Sequence, residues 1–185
     1  MNAQMKPPET PVEPLSTRVA LHPFLAGMNP THLTLLTDCA VARHFETNQK
    51  ILGEGEFANG FYLIETGKVA LESEAAFGES IPIQILGAGD LLGWSWMFPP
   101  YVWQFTARAI EPCTALFFYA AILREYCEKD HSLGYELLKR ISAVMVTRLQ
   151  AAHDQMLSLH STVRAGAPLM ARVRSPATTQ RSAYD

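Results

Sequence analysis

Hydrophobic and polar residues change their spacing along the chain, and this divides the chain into three parts. The segment from Leu21 to Ala42 is helical in pattern, with breaks at Pro23 and Pro30, and Asn29-Pro30-Thr31 is a helix-start signature. Between Val41 and Tyr119, glycines recur and separate short segments in which polar and apolar residues alternate. Short strands bounded by turn residues predict a compact antiparallel barrel or jelly roll.

The third part, from Tyr119 to about Val163, is dominated by helix-forming residues. Its apolar residues recur mainly at steps of three and four, in a stripe formed by Leu138, Met145, Leu149, Ala152, Met156, Leu159 and Val163. Such spacing is typical of a coiled coil, although a helix packed on its own barrel needs a similar stripe. A helix of about 30 residues would be ~45 Å long, more than a small barrel can cover. We therefore predict a homodimer through Leu138, Met145, Leu149, Ala152, Met156 and Leu159.

The two ends of the chain differ from the middle. Residues 1–17 are rich in proline and glutamate and predict a disordered lead-in, whereas residues 164–185 predict a flexible tail with scattered arginines. The folded domain is expected over residues 18–163. Its fold class is α+β but mainly β: a jelly-roll β-roll with short N-terminal helices and a long C-terminal dimerisation helix.

Composition narrows the class of protein. With 48% hydrophobic residues the chain can build a sizeable core, and a net charge of −3 argues against a nucleic-acid coat. Cys39, Cys113 and Cys127 are scattered and form no CxxC pair, which argues against a disulfide framework or a cysteine metal site and favours the cytoplasm. No apolar run is long enough for a membrane span.

Two glycine-rich segments carry a family resemblance. The run Gly55-Glu56-Phe57-Ala58-Asn59-Gly60-Phe61-Tyr62-Leu63-Ile64-Glu65-Thr66-Gly67-Lys68-Val69 resembles the central signature of cyclic-nucleotide-binding domains. The run Ile85-Leu86-Gly87-Ala88-Gly89-Asp90-Leu91-Leu92-Gly93 resembles the strand and turn before their phosphate-binding cassette. The resemblance covers roughly Leu21 to His160 and is closest to the effector domain of Crp/Fnr regulators. It implies a β-roll, short flanking helices and a long helix that dimerises.

The same resemblance implies where a cyclic nucleotide would bind and which contacts are missing here. In the family, a glutamate after a glycine accepts a hydrogen bond from the ribose, and an arginine after a short helix pairs with the cyclic phosphate. In a gapless comparison, Trp94 takes the glutamate position and Trp103 takes the arginine position. Strand alternation directs Arg108 to the face opposite Trp103, so we expect no rescue by Arg108. We predict that neither cAMP nor cGMP binds usefully.

The candidate pocket has two interpretations. Its residues are Gly93, Trp94, Ser95, Trp96, Trp103 and Gln104, with Ala152 and His153 of the long helix as a lid. Either the three tryptophans fill the cavity as core, or they stack on an apolar or aromatic ligand that remains unidentified.

Three functions compete. The first is a sensory or regulatory domain that reports through its dimer helix, and the second is a dimeric interaction module with a tryptophan-filled pocket. The third is a truncated Crp/Fnr transcription regulator, because a winged helix-turn-helix needs about 60 residues and only 22 follow Val163. We expect no specific DNA binding by this chain as given. The six histidines are isolated and no catalytic motif is present, so we expect no enzyme, no metal site and no cofactor.

Overall fold

The computed structural model describes residues 13–74 and 80–164. In these ranges the chain forms helices first, then strands, then helices again. The helices are α1 (Leu15–Leu21), α2 (Pro30–Asp38), α3 (Ala120–Lys129) and α4 (His131–Arg164). The strands are β1 (Ala40–Phe45), β2 (Lys50–Leu52), β3 (Gly60–Thr66), β4 (Val69–Glu74), β5 (Ser80–Leu86), β6 (Leu91–Leu92), β7 (Thr106–Ala109) and β8 (Cys113–Tyr119).

Local signals account for the helix starts. The side chain of Asn29 accepts a hydrogen bond from Thr31 N at 2.8 Å, and Pro30 occupies the first helical position of α2. Asp130 plays the same role for α4, because its carboxylate accepts from Ser132 N at 2.9 Å. The predicted helical segment ends earlier than expected, since β1 begins at Ala40. Helix α1 also begins inside the predicted lead-in, at Leu15, while residues 1–12 lie outside the described part of the chain.

The strands form two antiparallel sheets that face each other. One sheet has the order β1-β8-β3-β6 and the other has the order β2-β7-β4-β5. The register of β3 on β8 places Leu63 opposite Leu116, and both are fully buried between the sheets. This is the predicted jelly roll with its long C-terminal helix.

An aromatic stack fills the middle of the roll. The Phe61 and Phe118 rings lie 4.7 Å apart and nearly parallel, and the Trp96 ring stacks 5.7 Å from Phe61. Rings in such offset contact add to the stabilisation from burial alone. Phe24, in the short 3-10 helix Pro23–Leu25, closes one side at 6.4 Å from Phe61.

Helix α4 is held to the roll mainly along its first half. Leu133, Leu137 and Ile141 are fully buried, whereas the side chains described after Ala151 are exposed. Arg140 ties this half down by donating to Phe24 O at 2.7 Å. No helix in the described part of the chain is long and apolar enough to cross a membrane.

Candidate functional site: a cavity at the end of the roll

Gly93 lies at the turn that follows β6, and its backbone geometry explains why glycine occupies this position. Its φ is +84°, a conformation that L side chains rarely adopt. A Cβ built here would lie 2.5 Å from Cζ3 of Trp103. The Trp103 ring therefore lies directly against the Gly93 backbone, in space that a side chain at position 93 would close.

Two backbone hydrogen bonds fix Trp103 in this place. Its N–H donates to Glu56 O and its carbonyl accepts from Gly55 N, both at 2.9 Å. This pairing holds the chain around Trp103 against the loop before β3, and only 4% of the residue is exposed. Trp103 faces the interior, as do Ala107 and Ala109 of β7, whereas Phe105 is only partly buried.

The other two tryptophans have different surroundings. Trp96 belongs to the aromatic core beside Phe61, and its buried Nε1 has no hydrogen-bond partner among the described residues. Trp94 is half-buried and lies on the wall of a cavity. The expectation that all three tryptophans share one pocket is therefore wrong for Trp96.

A cavity of about 220 Å³ opens beside Trp94 and Trp103. Most of its wall is apolar, and the lining residues are Leu52, Leu71, Leu92, Gly93, Trp94, Ser95, Trp103, Gln104, Phe105 and Arg148. Gly93, Trp94, Ser95, Trp103 and Gln104 are thus brought together as predicted. The tryptophans do not fill this space completely.

The long helix contributes Arg148 to the cavity. The guanidinium carbon lies 4.9 Å from the centre of the Trp94 ring, and Nη2 donates to Leu91 O. Burial lowers the pKa of Arg148 to about 10, so the group remains protonated at neutral pH. A cation over an indole face is attracted by the ring's negative π surface.

The predicted lid residues Ala152 and His153 do not line the cavity, and both are exposed. They lie one turn beyond Arg148, where α4 has left the roll. Arg148 was missed because nothing in its local sequence distinguishes a pocket arginine from a solvated one on a helix surface. Its place in the cavity depends on where α4 packs against the roll.

Arg108 lies outside the cavity, as strand alternation predicts. Its Nη1 donates to Asn48 O at 2.9 Å, and its Nε lies 3.4 Å from Oε2 of Glu72. The guanidinium is thus engaged at the surface of the β2-β7-β4-β5 sheet. It is not available to a ligand beside Trp103.

The described ranges hold no cluster of metal-ligating side chains. There, no three histidine, cysteine or acidic side chains are grouped so that they could hold a metal ion. Burial raises the pKa of Cys39 to about 12 and that of Cys127 to about 11, which keeps both thiols protonated at neutral pH. These cysteines are packing residues rather than nucleophiles.

The predicted dimer stripe is open to solvent in the single chain. Exposed fractions are 71% for Leu149, 63% for Met156 and 48% for Leu159. Leu138 is also exposed, while Met145 packs partly against the core. Val163 lies on α4, but its side chain is outside the described part of the structure. The stripe therefore forms an unpaired apolar strip along the second half of α4.

Known proteins share this architecture. Residues 42–130 match the family model of the cyclic nucleotide-binding domain. A protein of Geobacter metallireducens GS-15 described as a cyclic nucleotide-binding protein is 25% identical, with a TM-score of 0.65 over 72% of this chain and 97% of that chain. No curated protein matches the chain in sequence.

Two further solved structures show the same fold at lower identity. The catabolite activator protein of Thermus thermophilus is 22% identical, with a TM-score of 0.59 over 75% of this chain and 63% of that chain. The sensor domain of the transcriptional regulator DNR from Pseudomonas aeruginosa is 17% identical, with a TM-score of 0.57 over 70% of this chain and 87% of that chain.

Proposed function

We propose that this chain, whose residues 42–130 match the cyclic nucleotide-binding domain, is a regulatory domain of Crp/Fnr type that does not respond to cAMP or cGMP. In this proposal the cavity binds a different small molecule, and the second half of α4 joins two copies of the chain into a dimer. The dimer transmits the effect of ligand binding. The observation that carries this proposal is the contact between the Trp103 ring and the Gly93 backbone.

A cyclic phosphate has no charged partner at Trp103. An anion that leaves water must regain its hydration energy from paired charge or several hydrogen bonds. The indole of Trp103 offers at most one neutral N–H. Losing a charge-assisted bidentate contact costs on the order of 2–5 kcal/mol, and ~4 kcal/mol turns a micromolar site into a millimolar one.

Space and the ribose contact also disfavour a nucleotide. Trp94 has no carboxylate to accept a hydrogen bond from a ribose hydroxyl, and its ring is covered by Arg148. The cavity of about 220 Å³ is smaller than the roughly 300–1,000 Å³ typical of sites for drug-sized ligands. The same cavity favours a ligand-binding domain over a module whose pocket is permanently filled.

Dimerisation through α4 is supported by the unpaired apolar strip. Leu149, Met156 and Leu159 lie at steps of seven and three, on one side of a helix whose second half leaves the roll. Continuous apolar surface of this kind marks an interaction site in soluble proteins. A second copy of the same helix offers a matching surface in a two-fold arrangement.

Isothermal titration calorimetry with cAMP and cGMP tests the nucleotide part of the proposal. We expect no measurable binding up to about 1 mM nucleotide, on protein confirmed to carry no co-purified nucleotide. The PfPKA-R fragment, whose solved structure contains cAMP, serves as the positive control in the same buffer. A dissociation constant of about 10 μM or tighter for either nucleotide would contradict the proposal.

A further inference from the structure

Arg148 is the one charged side chain on the cavity wall formed by the described residues. A guanidinium carries five N–H donors, yet the described structure gives Arg148 a single hydrogen bond, to Leu91 O. Asp90 lies close enough to act on its charge, but Asp90 Oδ2 instead accepts from Gly87 N at 2.7 Å. Within the described ranges Arg148 therefore makes no ion pair: the Trp94 ring lies under its guanidinium, and the Asp90 carboxylate acts on it only at longer range.

A second polar side chain lies on the same wall. Ser95 is only 9% exposed and lines the cavity, and its hydroxyl makes no hydrogen bond to a described residue. The hydroxyl is therefore free to bond a ligand in the cavity. Ser95 begins the short 3-10 helix Ser95–Met97 and Arg148 belongs to α4, and both side chains line this cavity.

The remaining residues of the cavity wall determine which chemical groups the rest of the ligand would carry. Leu52, Leu71, Leu92 and Phe105 are apolar, and the Trp103 ring adds an aromatic surface. Gln104 is exposed and donates to Val102 O at 3.2 Å. A ligand that satisfies this wall carries one polar end and an apolar remainder.

The volume limits the size of that ligand. A cavity of roughly 150 Å³ holds one benzene molecule, so about 220 Å³ admits a single ring with one small substituent. Because the cavity is open on one side, this volume describes the part of a ligand that lies inside it. The apolar part is therefore one ring or a short branched chain.

We propose that the cavity binds a small monocarboxylate with a one-ring or branched apolar body, and that Arg148 and Ser95 hold its carboxylate. This inference rests on the proposed function, because it takes the cavity as the domain's ligand site. A planar guanidinium matches a carboxylate through two parallel hydrogen bonds, and the Ser95 hydroxyl donates a further one. The bound carboxylate would pair with the Arg148 guanidinium, which α4 carries into the roll. Ligand binding and the position of α4 against the roll would therefore depend on each other.

Benzoate is the probe that tests this assignment, and benzamide is its neutral counterpart of nearly equal shape. Binding is followed by the intrinsic tryptophan fluorescence, to which the cavity residues Trp94 and Trp103 contribute, and by the rise in melting temperature. We expect benzoate to bind at least about tenfold more tightly than benzamide to the wild-type chain. Equal binding of the two compounds, or no benzoate binding up to about 10 mM, would overturn the proposal.

The variant Arg148→Gln, compared with the matched control Arg124→Gln, distinguishes a role of the Arg148 charge in binding from a general effect on the fold. Arg124 also donates to a backbone carbonyl, Trp96 O at 2.9 Å, and lies 5.3 Å over the Tyr101 ring, but it does not line the cavity. Arg148→Gln should lose at least about tenfold in benzoate affinity with benzamide binding unchanged, while Arg124→Gln should keep both. Retained benzoate affinity in Arg148→Gln would refute the role of the guanidinium.

Two further measurements keep the outcomes distinct. If Arg148→Gln does not fold, Ser95→Ala is measured in its place. We expect Ser95→Ala to lose several-fold in benzoate affinity and to keep its benzamide affinity. An unchanged benzoate affinity would count against the site. cAMP is titrated in the same series. Tight cAMP binding would remove the proposed function itself, whereas a preference for benzamide would remove only the carboxylate assignment.

Discussion

Replacing Leu149 by glutamate should dissociate the dimer that we propose. Leu149 is 71% exposed in the single chain, and complete burial of a leucine side chain contributes about 1.5–3 kcal/mol. The substitution therefore removes about 1–2 kcal/mol from each protomer, and a two-fold interface contains the position twice. The loss of about 2–4 kcal/mol, together with repulsion between two carboxylates, should weaken the dimer at least about 100-fold.

Sedimentation equilibrium over a range of protein concentrations measures this change. Leu157→Glu is the matched control, because Leu157 is 58% exposed on the same helix but lies outside the stripe. We expect Leu157→Glu to dimerise like the wild type and Leu149→Glu to sediment as a monomer. The reasoning would be refuted by an unchanged dimer in Leu149→Glu, or by a wild-type chain that remains monomeric at about 100 μM.

Two further predictions concern the stability of the roll. Burial lowers the pKa of His22 below its ordinary value of 6.5, so the unfolded chain binds the proton more readily and stability should fall as the pH drops below about 6.5. In urea unfolding between about pH 7.5 and 5, His22→Gln should lose less stability on acidification than the wild type, whereas a control variant at the exposed His44, His44→Gln, should behave like the wild type. The same pH dependence of the unfolding free energy in all three proteins would contradict this prediction. Gly67→Ala should cost more stability than Gly27→Ala, because both glycines have positive φ but only at position 67 would a Cβ lie 2.2 Å from Pro112 O. In thermal unfolding we expect Gly27→Ala to lose about 1–2 kcal/mol of stability and Gly67→Ala to lose more. Equal losses in the two variants would contradict the prediction that contact with Pro112 O adds to the cost at position 67.

The roll could be predicted because its signals are local. Glycines between alternating segments specify short strands, and Asn29-Pro30 specifies the start of α2 wherever the helix later packs. Ala107 and Ala109 of β7 face inward as strand alternation predicts, whereas Trp103 precedes β7 and is held by its backbone hydrogen bonds to Gly55 and Glu56. The apolar stripe of α4 predicts a helix with one apolar side, but it does not say where along its length that side leaves the roll.

The site could be predicted only where it depends on neighbours in sequence. Gly93, Trp94 and Ser95 follow one another around the cassette turn, so the pattern places them together. Arg148 reaches the cavity from α4 through tertiary packing, and no spacing in the sequence encodes that approach. Trp96 has the same residue type as Trp94, yet the turn of the short 3-10 helix Ser95–Met97 directs it into the aromatic core.

The position of the Trp103 ring is the central claim, and a crystal structure grown with about 5 mM cAMP tests it most directly. The account predicts that the Trp103 ring lies against the Gly93 backbone, that Arg148 covers Trp94, and that no nucleotide occupies the roll. A cyclic nucleotide bound beside Ser95, with the Trp103 ring displaced from Gly93, would contradict it.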